Sequence, residues 1–215
     1  MRKLCVATIL ACLPLSAQDF RLGLKAGMPL TSALADSYDA AKRPILGATA
    51  EVDLPFSLTL SVDGLYNRVT FQVGLETHSV SGPSLFLATK NVANRWEFPS
   101  VLKRRLPTGR LHSFAGAGIA FDHVSNGRAL GVNCISYLLF PQYDGCHQVN
   151  DSPAPDLTRP SRPVGFVLDG GIDIPLSALR LSPEVRFIHW SGSHFDLESR
   201  LNQVQFLLTI KCCSR

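Results

Sequence analysis

The feature that most narrows what this chain can become is an alternation of apolar and polar residues with a period of two, repeated in segment after segment. Such alternation sends successive side chains to opposite faces of an extended strand. In the opening segment Phe20, Leu22, Leu24, Ala26 and Met28 share one face, and Arg21, Gly23, Lys25 and Gly27 the other. A helix would mix the two sets. Leu46, Ala48, Ala50, Val52 and Leu54 then alternate with Gly47, Thr49, Glu51 and Asp53, and Leu58, Leu60 and Val62 with Thr59, Ser61 and Asp63. A fourth segment sets Trp96 and Phe98 against Arg95 and Glu97 until Pro99, where the lost N–H predicts a bulge or local break. The fifth runs from about Leu111 to Val124, with Ala115, Ala117, Ile119 and Phe121 on one face. The last three are centred on Phe166 and Leu168, on Val185 and Phe187, and on Phe206 and Leu208.

The connections between these eight segments carry a second pattern. Those at Pro55-Phe56, Pro107 to Arg110 and Pro175 to Ala178 are short. Those at about Thr31–Arg43, Thr70–Ala93, Ser125–Arg162 and Ser191–Arg200 are long. Short and long connections therefore alternate, as they do in an up-and-down barrel with short periplasmic turns and longer external loops.

The charges decide which face looks where. Arg21, Lys25, Glu51, Asp53, Asp63, Arg95, Glu97, Asp169, Asp173, Glu184 and Arg186 all fall in the polar phase. Turned toward hydrocarbon, a charge costs up to several kcal/mol. Turned inward, acids and bases can pair across a narrow lumen. From this we expect a lumen network of Arg21, Lys25, Glu51, Asp53, Arg95, Glu97, Asp169, Glu184 and Arg186, and an apolar band facing lipid. Tyr66, Trp96 and Trp190, near strand ends, are the expected interfacial girdle. The rival architecture is a secreted sandwich or lipocalin-like barrel with the phase reversed. Its surface would carry more Lys, Glu and Asp than these strands, whose polar positions are often Gly, Ser or Thr.

The N-terminus points to export. Arg2 and Lys3 precede an apolar Leu4–Leu15 and the small pair Ser16-Ala17, the order of a secretory signal peptide. We expect residues 1–17 to be that peptide and 18–215 to form one barrel domain; lipoprotein processing at Cys12 is the alternative. Losing Arg2 and Lys3 lowers the formal net charge from +4 to +2, too small an excess to argue for nucleic acid. No later apolar run reaches the roughly 18 residues of a transmembrane helix.

Several segments resemble the small outer-membrane β-barrel proteins, the porin-like or OmpA/OmpX-like membrane domains. They are FRLGLKAGMPLT at Phe20–Thr31, RWEFPSVLKRRL at Arg95–Leu106, SFAGAGIAF at Ser113–Phe121, PEVRFIHW at Pro183–Trp190 and NQVQFLLTI at Asn202–Ile210. The resemblance implies an all-β, eight-stranded antiparallel transmembrane barrel. Its partners would be outer-membrane lipid and the outer-membrane assembly machinery, with no cofactor. These are strand-packing motifs, so they imply location and fold more than activity. Such barrels usually end on an aromatic residue, whereas this chain continues past Ile210 as Lys211-Cys212-Cys213-Ser214-Arg215.

Three functions fit such a chain. The first is a structural or surface-interaction barrel whose lumen is plugged by polar side chains, since an eight-stranded barrel has room for little else. The second is a narrow porin-like channel. The third is a lipid-acting hydrolase using His189 and Ser191, with Asp196 or Glu198 orienting the histidine; the stretch faintly resembles the His-x-Ser of lipid A deacylases. His147, Asp144 and Asp151 match no strong metal template, and Gly116/Gly118 lacks the following helix of a nucleotide loop.

Four cysteines follow Ala17: Cys134, Cys146, Cys212 and Cys213. No C-x-x-C pair occurs, which disfavours zinc and thioredoxin-type chemistry. Cys134 and Cys146 share the longest connection and bracket the apolar Ile135–Phe140. We expect a disulfide between them, worth on the order of 3 kcal/mol in the chain-entropy model, with two free thiols as the alternative.

Overall fold

The computed structural model describes residues 19–31, 39–41, 43–77, 84–108, 111–136, 145–153, 163–176, 179–192 and 201–212. The expected leader lies outside them. Among the described residues ten strands form in chain order: β1 (Phe20–Pro29), β2 (Asp39–Ala41), β3 (Ile45–Leu54), β4 (Leu58–Thr77), β5 (Ser84–Thr108), β6 (Leu111–Ser136), β7 (Gly145–Pro153), β8 (Val164–Leu176), β9 (Leu179–Trp190) and β10 (Asn202–Cys212). Eight of them pair antiparallel in the order β1-β3-β4-β5-β6-β8-β9-β10, and β10 returns to β1 with Lys25 opposite Thr209. The sheet is closed, and closure satisfies every strand edge within the membrane. Among the described residues no helix is long and apolar enough to cross a membrane.

The alternation read from the sequence is the inside–outside code of this barrel. Leu24 is 72% exposed while neighbouring Lys25 is 2% exposed. The same reversal runs from Val185, half exposed, to fully buried Arg186. The exterior is a band of Leu, Val, Ile and Phe. On β5 it is bounded by exposed Arg104 at the end with short turns and by Asn94 and Trp96 at the end with long loops. The ten steps from Asn94 to Arg104 cover roughly 33 Å of strand, which a tilt of about 40° reduces to roughly 25 Å of membrane. At the loop end Tyr66, Trp96 and His123 lie in one cross-strand row, with the Tyr66 and Trp96 rings 5.0 Å apart. Trp190 is a correction to the expected girdle. It shares the parity of Ile188 and Arg186, points inward and is fully buried.

The strong curvature of a small barrel depends on glycine at inward positions. A Cβ on Gly118 would stand 2.0 Å from the Ser100 carbonyl oxygen, and one on Gly47 would stand 2.1 Å from that of Gly64. At the turn end Phe56 and Ser57 adopt positive φ (65° and 60°) between the Leu54–Leu58 pair.

Three expectations about strand limits are corrected. Pro99 does not bulge β5 or end it, but the ladder to β4 is locally broken there. The proline sits opposite Ala120, and the offset to β4 is the same on both sides of it, although the pairs at Asp63 and Gly64 drop out. The missing N–H costs local ladder bonds but not register; the irregularity falls instead at Val92/Asn94. The connections expected at Thr70–Ala93 and Ser125–Arg162 are largely strand. β4 continues to Thr77, β5 begins at Ser84, β6 continues to Ser136, and β7 pairs along it. Beyond the last β3–β4 pair at Asn67 and the last β6–β8 pair at Phe121, a sheet in the order β2-β4-β5-β6-β7 leaves the barrel. Lastly, Lys211 and Cys212 belong to β10 and not to a tail, because Lys211 is fixed inside the lumen.

Candidate functional site

The barrel interior is where the chemistry-bearing side chains converge, and strand parity brings each of them there. Arg186 on β9 is fully buried at the centre. Its Nη2 lies 2.7 Å from Asp63 of β4, 3.1 Å from Asp169 of β8 and 3.1 Å from Glu184. Lys25 reaches the same group from β1, donating to Asp63 at 2.8 Å and Glu184 at 2.6 Å. Lys103 of β5 closes the ring, 3.2 Å from Glu184 and 3.4 Å from Glu51.

Toward the turn end Lys211 holds both oxygens of Glu51 at 3.0 Å and Asp173 at 3.2 Å. Asp173 also accepts from Ser182 and Arg180. Asp53 accepts from Arg21, from Thr59 at 2.8 Å and from Arg105 at 3.1 Å. A small pocket opens here, and Lys103, Glu51, Lys211 and Phe114 are among its walls. The ammonium of Lys103 stands 4.7 Å from the Phe114 ring centre.

A separate group lies toward the loop end. Arg95 donates to Asp122 at 3.0 Å and Gln203 at 3.1 Å, and pairs with Glu97 at 3.1 Å. Gln205 donates to Glu97 at 2.7 Å. The Arg95 guanidinium stands 5.4 Å from the Trp190 ring centre. Between the two polar groups the inward positions turn apolar. Leu65 follows Asp63, Leu207 precedes Thr209, Ile188 follows Arg186, and Val167 precedes Asp169. They belong to two clusters, Ile45 with Leu65 and Leu207, and Val101 with Ala120, Val167, Ile188 and Trp190. The lumen is thus layered: ions, then hydrocarbon, then ions and amides.

The lumen network read from the sequence comprises Arg21, Lys25, Glu51, Asp53, Arg95, Glu97, Asp169, Glu184 and Arg186. All nine lie on the inner wall, but Arg95 and Glu97 stand apart from the rest. Sequence reasoning missed Lys103 and Arg105 because it stopped at Pro99. Carrying the period through the proline would have placed both beside Arg95 and Glu97. Lys211 falls in the polar phase of Gln203, Gln205 and Thr209 in the sequence, but, counted also with the C-terminal tail, it was left out of the network. Eight acids and eight bases take part in these ion pairs among the described residues. Among the described residues the interior therefore carries no fixed excess of charge in these pairs that would select an ion of one sign.

His189 and Ser191 are both exposed at the loop end of β9. The partner of His189 is an amide: its Nδ1 lies 2.7 Å from Asn202 Oδ1. Asp196 and Glu198 lie outside the described residues, as do Asp144 and the side chains of His147 and Asp151. Among the described residues no three His, Cys, Asp or Glu side chains gather as a metal site. Cys134 and Cys146 face each other in the β6–β7 register.

A closed antiparallel barrel with an apolar exterior and a charged, filled interior is a small eight-stranded outer-membrane barrel, and its lipid-facing belt places it in that membrane. No family model matches the chain, and no curated protein matches it. Among solved structures it is similar to the outer membrane protein OprG from Pseudomonas aeruginosa, at 10% identity and a TM-score of 0.51, over 91% of this chain and 94% of that one. It also matches Neisserial surface protein A (NspA), at 9% identity and a TM-score of 0.44, over 92% of this chain and 99% of that one. A third match is Ail, the attachment invasion locus protein of Yersinia pestis, at 10% identity and a TM-score of 0.35, over 91% of this chain and 96% of that one. The likeness to OprG is one of fold.

Proposed function

We propose that the protein is a plugged outer-membrane barrel with a structural or surface-interaction role, a rigid base that presents its long-strand sheet and loops outside the cell. The observation that carries this reading is the layered lumen. Ion pairs cross it from wall to wall, as Lys25 does from β1 to Asp63 on β4 and Glu184 on β9, and an apolar layer follows. A hydrophobic constriction opposes hydrated ions by dewetting, and salt bridges fill the remaining width. With transport disfavoured, what distinguishes the chain is the sheet beyond the membrane, the usual place for contacts on a rigid scaffold.

Planar-bilayer recording of the purified, refolded barrel tests the plug. The expected result is a quiet membrane; stable unitary currents would reject the plug in favour of the narrow channel. The hydrolase reading has its own measurement. Ser191→Ala is expected to leave lipid A composition unchanged in cells that express the protein. A loss of deacylated lipid A in that variant would instead establish an enzyme.

A further inference from the structure

We propose that Cys134 and Cys146 form a cross-strand disulfide that staples the edge strand β7 to β6 in the sheet beyond the membrane. The argument rests on backbone register. β7 starts its pairing as Arg128↔Pro153, Ala129↔Ser152 and Leu130↔Asp151. Continued without interruption, that register would set Cys134 opposite His147. It is interrupted between Leu130 and Gly131, where Asn150 of β7 is the extra residue of a bulge. Past the bulge the pairs become Gly131↔Val149, Val132↔Gln148, Asn133↔His147 and Cys134↔Cys146. The one-residue correction is what brings the two cysteines face to face.

Directly opposed residues of an antiparallel pair have Cα atoms about 4.5–5.5 Å apart, whichever kind of pair they form. Disulfides bridge Cα separations of about 4.4–6.8 Å, so the Cα spacing of an opposed pair lies within reach of the bond. The need for a staple is also visible. Among the described strands β7 pairs with β6 alone, so it is a sheet edge held by one ladder. A strand in that position slips easily where neither face is buried, and a slip of one residue exchanges its two faces. A covalent link at Cys134 locks the register that the bulge sets.

Bond formation needs an oxidant, and the envelope supplies one as a disulfide-bearing thiol oxidoreductase. One cysteine thiolate attacks that disulfide and forms a mixed disulfide. The second thiolate displaces the carrier and closes the Cys134–Cys146 bond. The carrier leaves as a dithiol, having taken the electron pair and the two thiol protons.

The test uses the full protein in isolated outer membranes, alkylated before solubilisation. Its recovery in that fraction checks location independently of the bond. Trypsin leaves Cys134 and Cys146 in one peptide, because no Lys or cleavable Arg lies between Arg128 and Arg180 other than Arg159 and Arg162, both followed by proline. The expected peptide is unalkylated, lighter by two hydrogens than the dithiol, and alkylated twice after reduction. A chymotryptic cut within Tyr137–Phe140 should then yield two peptides joined through Cys134 and Cys146. Recovery of both as alkylated thiols, or a link from either to Cys212 or Cys213, would overturn the proposal. The double variant Cys134→Ser/Cys146→Ser should keep the heat-modifiable gel migration of the barrel. External protease should cut its 137–144 segment roughly tenfold faster than in the parent, because local opening is no longer opposed by ring closure. Equal cleavage rates in parent and variant would also overturn it.

Discussion

The two sides of this barrel differ in how far their strands run. On one side β9, β10, β1 and β3 stop at the loop end of the membrane belt. On the other, β4, β5 and β6 cross the same belt and continue, pairing as far as Thr77↔Leu85 and Ser84↔Ser136. Within the belt each strand separates two solvents, hydrocarbon and a charged lumen. Past the belt the pairings to β3 and β8 end and the sheet is no longer closed. On β4 the alternation nevertheless runs on past the belt, with Phe71, Val73 and Leu75 against Gln72, Gly74 and Glu76.

Substitutions that test this contrast should lose effect as they move from the lumen to the protruding sheet. Arg186→Met should be the most damaging, because it removes the cation from Asp63, Asp169 and Glu184 in a closed space. Breaking a buried ion pair from one side costs about 3–5 kcal/mol. Urea unfolding of the barrel in bilayers should show a drop of that size. A loss below about 1 kcal/mol would mean that the network is hydrated and the plug loose. Leu24→Arg puts a charge in the middle of the lipid face and should cost about 2–4 kcal/mol in the same assay, whereas Leu30→Arg, at the boundary, should cost about 0–1 kcal/mol. Equal costs at the two positions would remove the basis for the belt. Gly118→Ala forces a Cβ against the Ser100 carbonyl, and overpacking of this kind costs about 1–3 kcal/mol. Its effect should appear as a lowered midpoint with unchanged cooperativity. Thr89→Lys lies on β5 beyond the belt and should change stability by no more than about 0.5 kcal/mol. A larger loss would show that the protruding sheet supports the barrel.

How much of this was legible follows from the same contrast. The eight membrane strands, their meander order and the inward phase of the charges could be read directly, because Leu22, Arg21 and their like occupy two different solvents. The extension of β4 was legible too, since Phe71, Val73 and Leu75 alternate with Gln72, Gly74 and Glu76, whereas around Leu85, Phe86 and Leu87 the period lapses and the start of β5 could not be read. Pro99 misled in a different way. Its missing N–H was weighed as a break, whereas an established ladder on both sides carries the register across it. Trp190 was judged by residue type and position. Its parity, shared with Arg186 and Ile188, was the better guide. The layering of the lumen was out of reach, because axial height depends on strand tilt and stagger, which period-two reasoning does not contain.

The ion pairs of the lumen also bear on how the barrel comes to be assembled correctly. Lys211, on the last strand, is held by Glu51 on the second long strand, and Lys25, on the first, by Glu184 on the last but one. These bonds straddle the seam where β10 meets β1. A slip of one residue at that seam exchanges the two faces of the strand that slips, so Lys25 would leave Glu184 or Lys211 would leave Glu51. The correct closure keeps both bonds. The charged interior thus favours one closure register over its neighbours.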